Sequence, residues 1–470
     1  MIKFGTGGWR AIIGDDFTKA NVQLLTLALA RKIKDEGKAD KGFVVGYDRR
    51  FLSEEAAIWA AEVMAGEGII CSIIHRESPT PLIMYTVSAY GFPYGMAVTA
   101  SHNPAVYNGV KVFMEGGRDA DETLTTSFEG YIGSLNNDDV RIIPFDDGVK
   151  NGTIKIIDPM NEYIDSILGA VDVKIIRERG LKVVLDPMYG VSKTALQTIL
   201  LTTRCDVDVI HERRDTLFGG RLPAPNVKTL TSLMNYVEEH SCDIGIATDG
   251  DADRLGVIDD KAEFLHPNKI LVLLYYYLVK YKGWHGAAVR NIATTHLLDR
   301  IAESFGEMCY EVPVGFKYVS EKMVETGAII GGESSGGLTV RGHIQGKDGI
   351  YAASLLVEMI AKTGRKLSEL WHDIETEFGY FEMAEHDYRF SQEKKASIMN
   401  TLMVDKLLPD FNLDIDKISY MDGCKVYFKN GGWIIARFSG TEPLMRIFCE
   451  MDNIEKAEQV ALKLKAFLEI

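Results

Sequence analysis

Four short segments of the chain concentrate side chains that can do chemistry. Asp249-Gly250-Asp251-Ala252-Asp253-Arg254 sets three carboxylates at alternate positions directly after an apolar run. Hard oxygen ligands converging there suit Mg²⁺. An EF-hand calcium loop needs glycine at its sixth position and glutamate at its twelfth, and here those are Arg254 and Asp260. The other reading is a solvated acidic turn, in which clustered like charges go without neutralisation. Thr99-Ala100-Ser101-His102-Asn103-Pro104 offers a hydroxyl nucleophile, Ser101, at the end of a strand-like run, where open α/β sheets hold their ligands. Ser101 could attack a substrate or carry a phosphoryl group; the competing reading is a turn with Asn and Ser bonded to nearby backbone. His102 is a weak partner for it, since neighbours on an extended segment face opposite ways.

Gly331-Gly332-Glu333-Ser334-Ser335-Gly336-Gly337 combines a carboxylate with hydroxyls, groups that read sugar hydroxyls, and no G-x-x-x-x-G-K-[ST] phosphate loop occurs in the chain. Arg437-Phe438-Ser439-Gly440-Thr441-Glu442-Pro443 joins a guanidinium to two hydroxyls and a glycine, a set able to cradle a phosphate dianion. Taken singly, each glycine-rich loop reads equally well as a turn.

The elements that must position these segments alternate in type. Helical spacing over 21–36, an apolar run at 43–46, a helix over 53–65 and strands at 69–74 and 96–99 read as a parallel α/β layer filling the first 145 or so residues. The alternation recurs from Leu181, with strands at 182–186, 205–210 and 243–247, and again after Pro267, with strands near 287–290 and 328–330. The last part differs: runs at 424–428 and 433–437 joined by Lys429-Asn430-Gly431-Gly432 predict an antiparallel hairpin in a small α+β domain. The stretch 364–386 reads as the linker to it.

A length of 470 residues, at roughly 150 per domain, allows about three domains. A hydrophobic fraction of 46% with 13 prolines excludes a disordered or collagen-like chain. The net charge of −15 opposes sequence-independent nucleic-acid binding but not a local basic pocket for a small anion. The longest apolar run, 270–279, is about half of the roughly 20 residues that cross a bilayer, so no membrane association is expected. The amino terminus lacks a signal-peptide pattern, and the six cysteines are scattered without a Cys-x-x-Cys pair. A reduced, cytoplasmic setting is the expectation.

In order and position the four segments resemble one family, the α-D-phosphohexomutases, which comprise phosphoglucomutases and phosphomannomutases. The resemblance runs the length of the chain: Phe4-Gly5-Thr6-Gly7-Gly8-Trp9-Arg10, the Ser101 loop with Tyr107-Asn108-Gly109-Val110-Lys111 behind it, the aspartates, the Glu333 loop and the Arg437 loop. It implies an α/β fold of three similar mixed-sheet α/β domains and a C-terminal α+β domain around a central cleft. The expected spans are 1–147, 148–257, 258–372 and 373–470, supplying in turn the phosphoserine, metal, sugar-binding and phosphate-binding loops.

By that resemblance Ser101 bears the phosphoryl group, and Asp249, Asp251 and Asp253 bind Mg²⁺ together with the Ser101 phosphate. Glu333 and Ser335 hold sugar hydroxyls, while Arg437, Ser439, Gly440 and Thr441 hold the non-reacting phosphate. Arg10 and Lys111 match positions beside the phosphoserine, Lys111 being the candidate general acid/base, and His102 joins them as a catalytic candidate. Lys347 and Arg254 add further cations to the cleft. The implied partners are small-molecule hexose phosphates, interconverted between 1- and 6-phosphates through a hexose 1,6-bisphosphate that also serves as activator.

Glucose is the expected sugar, because the Glu333 loop ends in Gly336-Gly337 as in glucose-preferring bacterial members, where many phosphomannomutase-like relatives carry histidine. Mannose, and after it glucosamine, are the alternatives. A non-catalytic sugar-phosphate binder and a metal-dependent phosphatase with water as acceptor are readings from other classes. Intact Ser101, Lys111 and aspartates argue against the binder.

Overall fold

Strands Phe43–Tyr47 and Cys71–Ile74 are buried along their whole length, the pattern of a sheet covered by helices on both faces. The computed structural model describes residues 2–5, 8–438 and 443–470, and among these the strands form four sheets. The first runs Trp9–Ile12, Tyr107–Met114, Tyr94–Val98, Phe43–Tyr47, Cys71–Ile74, Ile154–Ile157, with Arg118–Asp119 added on Tyr107–Met114. The second runs Phe264–Leu265, Leu255–Ile258, Ile244–Thr248, Lys182–Asp186, Asp206–Val209. The third runs Cys309–Val312, Ala288–Asn291, Ile330–Gly332, Leu338–Val340. The fourth, of Glu382–Arg389, Leu444–Met451, Trp433–Phe438, Cys424–Phe428 and Ile415–Ser419, is antiparallel throughout and carries the terminal helix Ile454–Leu468. The expected class, mixed α/β layers followed by an α+β unit, is the observed one.

The strands the alternation predicts in the first layer do pair in parallel, Phe43–Tyr47 with Cys71–Ile74 and with Tyr94–Val98, but further strands make the layer mixed. Tyr107–Met114 runs antiparallel to Tyr94–Val98 on one side and to Trp9–Ile12 on the other. The connection 99–106 is too short for a crossover, which needs a dozen or more residues, so the chain must return as a hairpin. The same device recurs: Ile244–Thr248 returns as Leu255–Ile258, and Ile330–Gly332 as Leu338–Val340. Trp433–Phe438 likewise returns as Leu444–Met451. The Ser101, Asp249 and Glu333 segments therefore occupy the same topological place, the hairpin turn after a sheet strand, and Arg437 lies near the end of the strand that precedes the fourth return.

Three expected boundaries shift. Ile154–Ile157 pairs with Cys71–Ile74, carrying the first sheet past 147, and Phe264–Leu265 carries the second past 257. The 364–386 stretch is no linker: Leu367–Phe378 is a helix with Leu367, Leu370, Trp371, Ile374 and Phe378 buried, and Glu382–Arg389 opens the fourth sheet. Position 372 falls inside that helix. The second and third sheets share one core, because helix Gly349–Thr363, buried over nearly its full length, contributes to the same apolar cluster as Ile244, Ile246, Leu255 and Val257. No helix among the described residues is long and apolar enough to cross a membrane.

Candidate active site

Ser101 sits at the turn with φ +52°, in the left-handed region, and is buried. Its Oγ donates to Asp249 Oδ2 at 2.9 Å. The same backbone conformation brings His102 Nδ1 to 3.3 Å from Ser101 Oγ, correcting the expectation that the two side chains diverge. That expectation assumed extended backbone, which a positive φ interrupts. The His102 ring is held well below the usual histidine range by the Arg254 charge, by burial and by Arg10, and so is neutral. Arg10, on the outer strand, donates through Nη1 to Asn103 Oδ1 at 2.9 Å and so touches the nucleophile loop directly.

Asp249, Asp251 and Asp253 are buried and bring carboxylate oxygens within 4.8 Å of one another. Two glycines let other segments close on them. A Cβ at Gly250 would lie 2.8 Å from the Ser101 carbonyl oxygen, and one at Gly349 would lie 2.7 Å from that of Arg254. Gly349 opens the buried helix, capped by Asp348, whose side chain accepts from Ile350 and Tyr351 amides, each at 2.9 Å. That start sets Lys347 Nζ 2.8 Å from Asp253 Oδ2. Lys111 Nζ reaches Asp251 Oδ2 and Asp253 Oδ2, each at 2.6 Å.

These charges are mutually tuned. Burial alone would push the Lys111 ammonium down, and Asp251 and Asp253 more than reverse this, holding it above the lysine range. Burial would raise Asp253, but Lys111, Lys347 and Arg254 hold it well below the carboxylate range. Asp249 is pushed well up by burial and by its two acidic neighbours. Asp251 Oδ1 and Asp253 Oδ1 are buried without a hydrogen bond, an expensive arrangement for carboxylate oxygens unless a cation takes them. Together with the all-oxygen donor set, those two atoms fit a hard divalent ion.

Glu333 stands at the turn of the third sheet, its Oε1 accepting from Asn291 Nδ2 and from the Gly315 amide, both at 3.0 Å. The loop docks on the aspartate loop: Leu255 N donates to Gly336 O at 3.1 Å, and Arg254 bridges to Gly337. A Cβ at Gly337 would lie 2.3 Å from Lys347 Cδ, so any side chain there displaces the lysine from its course to Asp253. Ser335 is exposed at the tip. The Ser101, Asp249 and Glu333 loops and the cations Arg10, Lys111, Arg254 and Lys347 thus meet.

Arg437 does not join that cluster by any hydrogen bond or ion pair among the described residues. Its Nε donates to Asp422 Oδ2 at 2.8 Å, and the same oxygen accepts from Val314 N at 2.9 Å. Val314 precedes the Gly315 that holds Glu333, so consecutive amides link the Arg437 arm to the Glu333 loop. Ser439, Gly440 and Thr441 lie outside the described residues.

Three supporting residues were not anticipated. Thr80 donates through Oγ1 to Asp251 Oδ2 at 2.7 Å and through its amide to Asp251 O at 2.9 Å. Asn291 and Asp422 orient Glu333 and Arg437. A single sequence carries no mark of such contacts, which join residues 171, 42 and 15 apart in the chain. In sum, a buried hydroxyl faces a carboxylate triad ringed by four cations, an environment that stabilises a phosphoryl group in transit.

Four domain families match the chain: phosphoglucomutase/phosphomannomutase alpha/beta/alpha domains I, II and III over residues 1–137, 161–262 and 266–378, and the C-terminal domain over 398–466. The phosphoglucomutase/phosphomannomutase of Thermococcus kodakarensis is 31% identical over 457 residues, covering 97% of this chain and 96% of that one. The phosphoglucosamine mutase of Acetivibrio thermocellus is 28% identical over 471 residues, covering 99% and 98%. The structure of the Paramecium phosphoglucomutase parafusin, in its open form, superposes with a TM-score of 0.83 at 20% identity over 99% of this chain and 94% of that one, a likeness of fold.

Proposed function

The chain belongs to the phosphoglucomutase/phosphomannomutase family of α-D-phosphohexomutases, and from that premise we propose that it interconverts glucose 1-phosphate and glucose 6-phosphate through a phosphorylated Ser101. Its class is phosphomutase, an intramolecular phosphotransferase. The observation that carries the reading is the 2.9 Å contact from Ser101 Oγ to Asp249 inside a cluster bearing Lys111 and Lys347. A hydroxyl so placed exchanges a phosphoryl group where opposite charge is already in position.

In one half-reaction the bond between phosphorus and Ser101 Oγ breaks as phosphorus bonds the free hydroxyl oxygen of a hexose monophosphate, giving the 1,6-bisphosphate. Lys111, held as an ammonium, is the candidate donor of a proton to the departing Oγ, and the proton that the hydroxyl loses restores it. In the other half the bisphosphate, turned end for end, returns its other phosphoryl group to Ser101. Asp249, Asp251 and Asp253 would hold Mg²⁺ with the Ser101 phosphate, and the bound ion would withdraw charge from the transferring oxygens. Arg10 and Asn103 steady the nucleophile loop, and Glu333 with Ser335 reads the sugar hydroxyls. Arg437, with Ser439, Gly440 and Thr441, grips the non-reacting phosphate. Hexose 1,6-bisphosphate would also serve as activator, restoring any Ser101 that has lost its phosphate.

Glucose is preferred on the Gly336-Gly337 ending, which keeps Lys347 beside Asp253 where a bulkier residue would push it away. Glucosamine phosphate is the second reading, favoured by the name of the Acetivibrio relative. A cytoplasmic location accords with six free cysteines. Rates on glucose, mannose and glucosamine 1-phosphates side by side, with free phosphate assayed in parallel, test this. A mutase forms the 6-phosphate without releasing phosphate, a phosphatase releases it, and a binding protein does neither.

A further inference from the structure

Ser101 keeps a backbone conformation that non-glycine residues rarely adopt, and something must hold it there. Both its peptide groups are taken by one buried assembly. Its amide donates to Thr99 Oγ1 at 2.8 Å, and that hydroxyl donates to Asp48 Oδ2 at 2.6 Å. Its carbonyl accepts from Arg50 Nη2 at 2.6 Å. The guanidinium then spans the rest of the turn, donating to the carbonyls of Asn103 at 2.7 Å, Pro104 at 2.9 Å and Tyr107 at 3.0 Å. Asp48 and Arg50 pair at 3.3 Å and are 2% and 1% exposed.

A buried ion pair is a poor device for stability alone, because desolvating both charges cancels most of what the pair returns. Only arginine presents a rigid planar fork of N–H groups able to satisfy four converging carbonyls. With φ at +52°, Ser101 Cβ is turned so that Oγ meets Asp249; a relaxed, negative φ would swing it away. We propose that Asp48, Arg50 and Thr99 form a clamp on the Ser101 peptide, acting as positioning residues that aim Oγ at the transfer path. The catalytic consequence rests on Ser101 being the phosphoryl carrier; the clamp itself does not.

Three variants test it: Arg50→Lys, which keeps the charge but loses the fork, Thr99→Val, which loses the hydroxyl, and Thr99→Ser, which retains it. Hydrogen exchange over 99–104 reads the clamp without any activity. Folded Arg50→Lys and Thr99→Val should exchange there roughly tenfold or more faster than wild type, and Thr99→Ser should not. In glucose 1-phosphate turnover the first two should lose on the order of 10²-fold in kcat with KM within about threefold, and Thr99→Ser should recover it. Should Arg50→Lys fail to fold, the threonine pair decides alone. Wild-type exchange in folded Arg50→Lys and Thr99→Val, or a Thr99→Ser as impaired as Thr99→Val, overturns the proposal. A wild type that exchanges as expected but never turns over hexose phosphates leaves the clamp standing and removes the mutase reading instead.

Discussion

Lys111 Nζ meets Asp251 Oδ2 at 2.6 Å across 140 residues of sequence, joining the first sheet to the second at the nucleophile. The contact exists because the chain turns back at Ser101 as a hairpin, so that the returning strand Tyr107–Met114 carries Lys111 to the same sheet end that presents the serine. One turn thus supplies both the Ser101 hydroxyl and a cation beside it, and the second sheet's turn supplies the acids that face them.

The two buried carboxylate oxygens without hydrogen bonds, on Asp251 and Asp253, predict a strict divalent-cation requirement. Chelation should abolish turnover and Mg²⁺ should restore it. Asp251→Asn should cost on the order of 10³-fold or more in kcat. Thr80→Val, which removes only the hydroxyl aimed at Asp251, should raise the Mg²⁺ concentration for half-maximal activity by ~10-fold or more. Magnesium titrations give both numbers, and a Thr80→Val curve that overlays wild type would detach Thr80 from the metal loop.

Asp422 holds Arg437 and the Val314 amide on one oxygen, so it aligns the Arg437 guanidinium with the Glu333 loop. Removing a hydrogen-bonded partner of a charged group costs about 1.5–3 kcal/mol. Asp422→Ala should therefore raise KM for hexose monophosphate by roughly ten- to a hundredfold with kcat far less affected. Asp422→Asn, which keeps an acceptor, should lie between. Steady-state kinetics decide it; a kcat loss with unchanged KM would place Asp422 elsewhere in the cycle.

Where the fourth sheet meets the third, Lys425 is fully buried, donating to Ile292 O at 2.6 Å and Glu311 Oε2 at 2.8 Å, over Trp433 and beside His296 and Tyr427. Burial, helped by the Arg290 charge that shares Glu311, lowers the Lys425 ammonium to about 7, against which Glu311 and Glu450 pull the other way. His296, lowered to about 3, stays neutral. Unfolded, Lys425 stays protonated to about pH 10. Between pH 7 and 10 the unfolded chain thus binds the extra proton, so stability climbs with pH, by at most about 1.4 kcal/mol per unit, and declines as pH falls towards 7. Lys425→Met should lack that slope. Urea unfolding at pH 7 and 9, followed by tryptophan fluorescence, is the measurement; parallel slopes for the two proteins would contradict it.

Much of the candidate cluster is legible because its residue types are rare in combination and stand at strand ends: the aspartates, Ser101 and Glu333; Arg437, read by the same rule, bonds instead to Asp422. What escapes are the return strands of the first three sheets. Leu255–Ile258 and Leu338–Val340 are too short for a period to register, and Tyr107–Met114 is interrupted by Asn108 and Lys111, so its pattern did not read as a strand. The 364–386 stretch did carry a signal, apolar residues at 367, 370, 371, 374 and 378 in helical spacing between Gly364 and Gly379. Asp48 and Arg50 follow the apolar run at 43–46, and nothing local says that their partners lie some 50 residues on. The extended-backbone expectation fails at His102 because the sign of φ at Ser101 is set by those distant contacts.

The most direct test follows a labelled phosphoryl group. Incubation with hexose 1,6-bisphosphate labelled in its phosphates should place the label on Ser101, identified by peptide mapping, and unlabelled glucose 1-phosphate should then strip it into sugar phosphate without free phosphate appearing. Ser101→Ala should remain folded, take no label and have no turnover. Label recovered on another residue, or a turning-over Ser101→Ala protein, would contradict the account.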